Sequence, residues 1–418
     1  MNSLNSQALP LNTHLDPNLT KLQKKMSPFI KLSDDQMILI QKTHDEHSSK
    51  MTDSKTYSYT KASKELPTAI HTVKKSDSTT QSFIFINSLN KNPVSLRGRG
   101  TSKLVKTAFT LDTHEVHVGK VSYLWKFFNK TDVNLDDIEN DPTYKGLKSE
   151  TELQMKVHGT SNIFTNVYIG KLTRCPKTGA RDKDLFDLQI PKVITFEPAF
   201  TLSMFKFYDS TYNSMLNGYF FNPDNVDVYY GEIGFKLKSI LSCTLKLHAL
   251  GYVHGDIKME NVNWDDGVLI DFGSVKSMQG GKLPSGTLYT QAPLVTIANY
   301  SIVTPMISNL ALEELIDGKC DAFAIGAMFH PLVFGVKVYP KKFSANPFNL
   351  KLCKARCELI KTELDEGGED IFAIDNPDED WPEAPKLISQ VVKELIAPLP
   401  KNRISITNAL SKLEKLAV

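Results

Sequence analysis

The texture of apolar and polar positions changes along this chain. Short apolar runs at Phe83-Ile-Phe-Ile86, Leu104 to Leu111, Val116 to Val121, Val193 to Phe196 and Leu202 to Phe207 are separated by turn residues and predict strands. Tyr144 to Val157 has helical spacing, and from about Phe235 the pattern is mainly helical, with a break near residues 254 to 275. Lys171 to Asp187, containing Pro176-Lys-Thr-Gly179, predicts a polar hairpin or insertion. Ahead of Phe83 the chain is polar: 34 of the first 90 residues are Ser, Thr, Asn or Gln, which leaves little apolar surface to offset the entropy of ordering. Residues 1–80 are therefore expected to be mostly disordered. One island, Ser33-Asp-Asp-Gln36 followed by Met-Ile-Leu-Ile, carries a capping-box pattern and predicts a short helix. That helix either packs on the main domain or docks a partner. No internal repeat is visible. A strand-rich first part and a helix-rich second part predict an α+β protein of two lobes with a cleft between them.

The bulk numbers narrow the class. At 418 residues the length suits two or three domains, or one large two-lobed domain with extensions. Basic and acidic residues nearly balance, 49 against 47, which argues against a nucleic-acid binder driven by charge. There is no run of 18 apolar residues, so no transmembrane segment is expected, and the N-terminus lacks the basic start and apolar core of a signal peptide. Five scattered cysteines predict reduced thiols and a cytoplasmic setting. Cys353 and Cys357 stand four apart on a predicted helix, without the companion ligands of a zinc site.

The strongest chemistry lies in Tyr252-Val-His254-Gly-Asp256-Ile-Lys258-Met-Glu-Asn261 and in Val268-Leu-Ile-Asp271-Phe272-Gly273. Two carboxylates and an amide on a loop and the hairpin after it suit phosphoryl transfer from a nucleotide to a hydroxyl. One Asp orients the hydroxyl and accepts its proton, while the Asn and the second Asp hold magnesium against the phosphates. Asp-Phe-Gly by itself is common. Together with the first segment, ten residues from Asn261 to Asp271 and with an apolar strand between, it is not.

These segments resemble the eukaryotic-type protein kinases, in their Ser/Thr branch. His254 to Asn261 follows the family's H-R-D-x-K-x-x-N loop with Gly255 in place of Arg, and Lys258 is the mark of the Ser/Thr branch. The H-G-D-I-K form also resembles the vaccinia-related group of kinases. Small-molecule kinases of the aminoglycoside type share H-G-D but usually lack the Lys and the Phe-Gly. The resemblance implies a two-lobed kinase fold, with 83–208 as the β-rich N-lobe and 209–418 as the α-helical C-lobe. It implies ATP and Mg2+ bound between the lobes and a protein substrate with a Ser or Thr acceptor, while the charge balance predicts no nucleic-acid partner.

Further family anchors follow. Leu96-Arg-Gly98-Arg-Gly100-Thr-Ser-Lys103-Leu-Val105 resembles the glycine-rich phosphate loop, with Lys103 in place of the third Gly. Lys120 follows Val105 by fifteen residues, as the family's third-strand Lys does, and Val118 and Lys120 would share one face of a strand. By resemblance, Val105 and Val118 line the adenine pocket and Lys120 reaches the α- and β-phosphates. Its helix carboxylate would be Glu152 or Glu150. Met204 is a candidate gatekeeper. Asp256 would orient the hydroxyl, Lys258 would stabilise the transferring group, and Asn261 and Asp271 would bind the metal.

Gly286-Thr-Leu-Tyr-Thr-Gln-Ala292-Pro293 resembles the end of an activation segment, with Leu294 where a Glu is expected. Asp321-Ala-Phe-Ala-Ile-Gly326 resembles the helix whose Asp braces the catalytic loop. Arg403, which in the family pairs the missing Glu, would find Glu313 or Glu314, or go without. The polar N-terminus on a divergent kinase also resembles secreted bacterial effector kinases, which act inside a host cell. Two other readings stand beside an active protein kinase: a pseudokinase scaffold, and a kinase of a small molecule or lipid head group.

Overall fold

The computed structural model describes residues 15–86, 96–99, 103–127, 134–159, 164–171, 189–198, 226–263, 267–300, 305–335, 338–339, 350–366 and 383–416. The chain divides into two compact units. The first comprises 1–151 with 160–199, and the second 152–159 with 200–418. The expected hairpin at 171–187, the expected strand at 202–207, Gly100 and Met204 lie outside the described residues, save Lys171 at a strand end.

The first unit opens with two helices, α1 (Pro17–Met26) and α2 (Asp34–Ser49), then strands β1 (Tyr57–Thr60), β2 (Thr68–Lys74) and β3 (Thr80–Ile86). This corrects the expectation of disorder through residue 80. Polar composition hid a sparse apolar stripe. Leu19, Leu22 and Met26 on α1, and Met37 and Ile40 on α2, recur at spacings of three and four and are buried. They meet Ile70, Ile84, Ile86 and Phe109 in one cluster. The capping box is present in full, with the Ser33 hydroxyl accepting from the Gln36 amide and the Gln36 side chain accepting from the Ser33 amide. The helix it starts is 16 residues long and packs on β2 within its own unit, as the simpler of the two expectations had it.

The sheet continues with β4 (Leu96–Arg99), β5 (Lys103–Thr110), β6 (Val116–Tyr123), β7 (Phe164–Lys171) and β8 (Gln189–Pro198), in the order β1-β2-β3-β5-β6-β8-β7. β3 and β4 lie end to end along one edge of β5. Phe83 to Phe85 pair with Thr110 to Ala108, and Leu96 to Arg99 with Lys106 to Leu104. The sheet rolls far enough that its outermost strands touch through side chains. The Tyr57 and Tyr59 rings on β1 lie 5.8 and 5.3 Å from the Tyr168 ring on β7. Inside the roll, Phe83 stacks on Phe196 at 4.0 Å, among Ala69, Val73, Ala108, Val121 and Ile194. Lys192 is buried there over the Tyr123 and Tyr168 rings, and desolvation lowers its pKa to about 8. Between β6 and β7 come α3 (Leu135–Glu139) and α4 (Pro142–His158). Tyr144 and Leu147 of α4 pack with Leu124, Phe127, Ile138 and Val193.

The second unit is helical: α5 (Val226–Ala249), α6 (Pro293–Tyr300), α7 (Pro305–Ile316), α8 (Lys319–Phe334), α9 (Leu350–Asp365), α10 (Glu383–Leu395) and α11 (Ile406–Leu413). Short strands β9 (Tyr252–Val253), β10 (Val262–Asn263), β11 (Val268–Leu269) and β12 (Lys276–Ser277) pair β10 with β11 and β9 with β12. α8 is buried along almost its whole length between α5 and α10. Two hydrophobic clusters result. One, around Leu237, Leu241, Ile325, Met328 and Leu395, carries the loop after β9 through Ile257 and Met259. The other, around Leu294, Val295, Phe323 and Cys357, carries the segment before α6. Among the described residues no helix is long and apolar enough to cross a membrane.

Candidate active site

In the second unit the site is built on Asp321, at the first turn of α8. This carboxylate is buried. It accepts the amide protons of His254 at 2.7 Å and Gly255 at 2.9 Å, and a hydrogen bond from His248 Nε2 on α5 at 2.9 Å. Burial opposes its ionisation, but the His248 contact and the Gly255 amide outweigh that and hold its pKa below the usual value. The Asp that sequence reasoning assigned to bracing the loop does so, and His248 is a partner that reasoning missed. The His254 ring lies 5.4 Å from Phe272 and makes a 3.2 Å contact with the Ile270 carbonyl, tying the loop to the strand before Asp271.

The braced loop presents Asp256 to a dense set of donors. Its Oδ1 accepts from the Thr287 amide at 2.7 Å and the Thr287 hydroxyl at 2.6 Å. Its Oδ2 accepts from Lys258 Nζ at 2.8 Å and Asn261 Nδ2 at 3.1 Å. Lys258 Nζ also donates to the Thr287 hydroxyl, at 2.8 Å. Asn261 Nδ2 reaches both the carboxylate and the backbone carbonyl of Asp256, so the NH2 end of this amide is fixed and its Oδ1 is left as an acceptor for a cation. Asp256, Lys258 and Asn261 are thus brought together as expected. Thr287 was missed as a partner; the signal was the Gly-Thr pair at 286–287.

Asp271 follows the β10–β11 hairpin, whose register pairs Val262 with Leu269. The Asn261 carbonyl accepts the Ile270 amide at 2.8 Å, so the two expected metal ligands hang from one hydrogen-bonded hairpin. Asp271 has φ of +62° and ψ of 72°, left-handed backbone that a non-glycine residue adopts at a cost. Phe272, buried between the His158 and His254 rings, anchors it. Oxygen donors from Asn261 and Asp271 suit magnesium, which takes one or two protein ligands and completes its shell with phosphate and water.

The segment from Asp271 to Pro293 is held largely through its backbone carbonyls. The Pro284 carbonyl accepts from Asn299 at 2.7 Å and Gln291 at 3.1 Å. The Leu288 carbonyl accepts from buried Arg356 at 2.7 Å, and the Gln291 carbonyl from Tyr339 at 2.7 Å. Gly255 has φ of +75°, and a Cβ there would stand 2.5 Å from the Pro284 Cβ. Gly286 is equally confined: a Cβ would stand 2.2 Å from the Gly255 carbonyl oxygen. These two glycines let the segment lie directly on the catalytic loop. Leu294, in place of the family's Glu, is buried in apolar surroundings. Of the options open to Arg403, the buried Glu314 on α7 is its partner. Carbonyls of Ala397, Pro398 and Lys319 complete its bonds. Burial pushes the Glu314 pKa up, against the pull of Arg403.

The first unit holds Gly98, Val105, Val118, Lys120 and Glu150, while Glu152 falls in the part of α4 that belongs to the second. β5 and β6 pair Val105 with Lys120 and Thr107 with Val118, so Val105, Val118 and Lys120 share one face of the sheet. Gly98 pairs with Val105 on the hairpin that leads into β5. Lys120 makes an ion pair with Glu197 on β8, at 2.8 Å. Nothing local in the sequence marked Glu197. On α4, Glu152 is exposed and Glu150 half-buried.

A loop carboxylate bonded to a lysine, a threonine and an asparagine, with an Asp-Phe-Gly turn behind it, is the arrangement expected of the kinase class. The model of the protein kinase domain family matches residues 200–413, just over half of the chain, and the chain belongs to that family, the eukaryotic-type protein kinases. It is 32% identical over 143 residues to the Citron Rho-interacting kinase of Mus musculus, a match covering 32% of this chain and 6% of that protein. The protein of the same name from Homo sapiens is 30% identical over 151 residues, again covering 32% of this chain and 6% of the relative. The chain therefore spans a small fraction of the length of these relatives.

Proposed function

We propose that this chain is an active protein-serine/threonine kinase that transfers the γ-phosphate of ATP to a protein hydroxyl. The observation that carries the reading is the hydrogen-bond set on Asp256, shared with Lys258 and Thr287. Asp256 orients the substrate hydroxyl and takes its proton. The hydroxyl oxygen forms a bond to the γ-phosphorus while the bond from that phosphorus to the β,γ-bridging oxygen breaks, and ADP leaves. Lys258 places positive charge beside the transferring group, and Thr287 fixes the Asp256 rotamer. Asn261 and Asp271 would hold magnesium, which would supply charge neutralisation at the phosphates. Lys120 grips the α- and β-phosphates, with Gly98 on the neighbouring β4–β5 pairing and Gly100 contributing to the phosphate loop as the resemblance implies. Val105 and Val118, on its face of the sheet, offer apolar contact to the base. On this reading the first unit does the work of a kinase N-lobe and the second that of a C-lobe.

Incubation with γ-labelled ATP, magnesium and a panel of Ser- and Thr-containing protein substrates tests the reading. Label should enter serine or threonine, and Asp256→Ala or Asp271→Ala should reduce the rate by about 100-fold or more. Wild-type protein that transfers no label makes the chain a scaffold. Label that enters lipid or small-molecule acceptors and not protein assigns it to a different kinase class.

A further inference from the structure

We infer that Glu197, on the strand beside the one that carries Lys120, is the positioning residue for the Lys120 ammonium. It takes the part that the family resemblance gives to a carboxylate on the following helix, and this inference rests on the phosphotransfer reading above. Register puts it there. β6 and β8 pair Lys120 with Thr195 and Val118 with Glu197, so Glu197 stands diagonally across from Lys120 on the same face, within reach of two long side chains. The contact is 2.8 Å, with the two side chains only 12% and 8% exposed. In such surroundings an ion pair is only weakly screened by water, so the Glu197 carboxylate favours the charged form of Lys120 and holds its position.

The placement has a mechanistic consequence. A carboxylate carried by a helix can move away from the lysine when the helix shifts. Glu197 is carried by the same sheet as Lys120, and seven consecutive residue pairs lock β6 to β8 from His117–Pro198 to Tyr123–Lys192. Ammonium and carboxylate are therefore preorganised by backbone hydrogen bonds, independently of α4. The same register makes Glu197 the cross-strand neighbour of Val118, which the family resemblance places at the base of the nucleotide. Glu197 thus bounds the region that Val118 and Lys120 offer to the ligand.

The inference is tested on the full-length chain by trace acetylation with acetic anhydride across a pH series. Labelling of Lys120 is read by peptide mass spectrometry, and ATP kinetics are measured beside it. In Glu197→Gln the Lys120 labelling midpoint should move to lower pH, because the opposite charge that favours the ammonium is gone. Catalytic efficiency towards ATP should fall about 10- to 100-fold, the cost expected of an ångström-scale misplacement. Glu197→Asp should keep most of the labelling midpoint and recover part of the efficiency, which separates positioning from a loss of folding. Glu152→Gln should leave the midpoint where it was. An unchanged midpoint in Glu197→Gln, or one that moves in Glu150→Gln instead, overturns the inference. Labelling needs no turnover, so an inactive wild-type chain would refute the phosphotransfer reading and still leave the Lys120–Glu197 pairing decided.

Discussion

Gly255 is the residue at which this chain departs most visibly from its family, and its backbone explains the departure. The family's Arg at this point meets a phosphate on the activation segment. Here φ is +75°, and the space a Cβ would need is taken by Pro284 and, at 3.1 Å, by the Ser274 carbonyl. An L side chain is strained by the backbone and blocked by its neighbours. Restoring the family's residue should therefore harm the protein. Gly255→Arg is expected to lose most activity and to destabilise the second unit by about 1–3 kcal/mol, through strain and a displaced Pro284. Kinetics and thermal melts of the purified variant check this, and a variant with wild-type turnover would show that the close packing is dispensable. The substitution was legible in the sequence as a lost charge. The close approach behind it was not, because Pro284 lies 29 positions further along. Glu197 shows the same limit. Asp256, Lys258 and Asn261 are readable because the chemistry confines them to one short loop, whereas Glu197 reaches Lys120 through strand register, which a single sequence does not display.

The segment from Asp271 to Pro293 corresponds to the one on which the family carries its activating phosphate. Its anchors are Asn299, Gln291, Arg356 and Tyr339, each bonded to or through a backbone carbonyl, and Thr287, bonded to Asp256. β12 adds a two-residue ladder to β9. None of these contacts needs a phosphate. Thr290, one of the hydroxyls available for modification, is buried, and its Oγ1 donates to the Thr287 carbonyl at 3.3 Å. A dianion placed there would be desolvated and would displace the packing around it. Phosphatase-treated protein should therefore transfer phosphate at nearly the untreated initial rate, without a lag. A large loss that preincubation with MgATP restores would show that a phosphate orders the segment after all. The sequence carried the ends of this element in its Asp-Phe-Gly and Ala-Pro motifs. The anchors were illegible, since Tyr339 and Arg356 act from beyond α8 and one of them does so from α9. Arg403 is an intermediate case. The family pattern announced that it needs a carboxylate, two candidates stood side by side at 313 and 314, and burial on α7 selects Glu314 over the exposed Glu313.

At the scale of the whole chain, the two units differ in how openly the sequence announced them. The family model matches 200–413, where linear motifs are dense. The first unit carries two helices and strands β1 and β2 ahead of the strands that bear Gly98 and Lys120, and this added part looked too polar to fold. The physical error lay in averaging. A stripe of one apolar residue every three or four positions is enough when a sheet face waits beneath it, and Ile70, Ile84, Ile86 and Phe109 form that face. Removal of residues 1–80 is therefore expected to be severe. Leu19, Leu22, Met26, Leu32, Met37, Ile40, Leu66 and Ile70 would be lost from one cluster, at roughly 1.5–3 kcal/mol of transfer free energy each. Ordering entropy returns part of that sum. The remainder still competes with the roughly 5–15 kcal/mol that hold a typical domain folded. The cut would also strip β2 from β3, leaving an apolar edge open to pairing with other chains. The truncated protein should be insoluble or melt well below the full chain, with the loss concentrated in amide protons of β3, β5 and β6 when followed by hydrogen exchange. A truncated chain that stays soluble and melts within a few degrees of the original would mean that α1 and α2 add little to the sheet they cover.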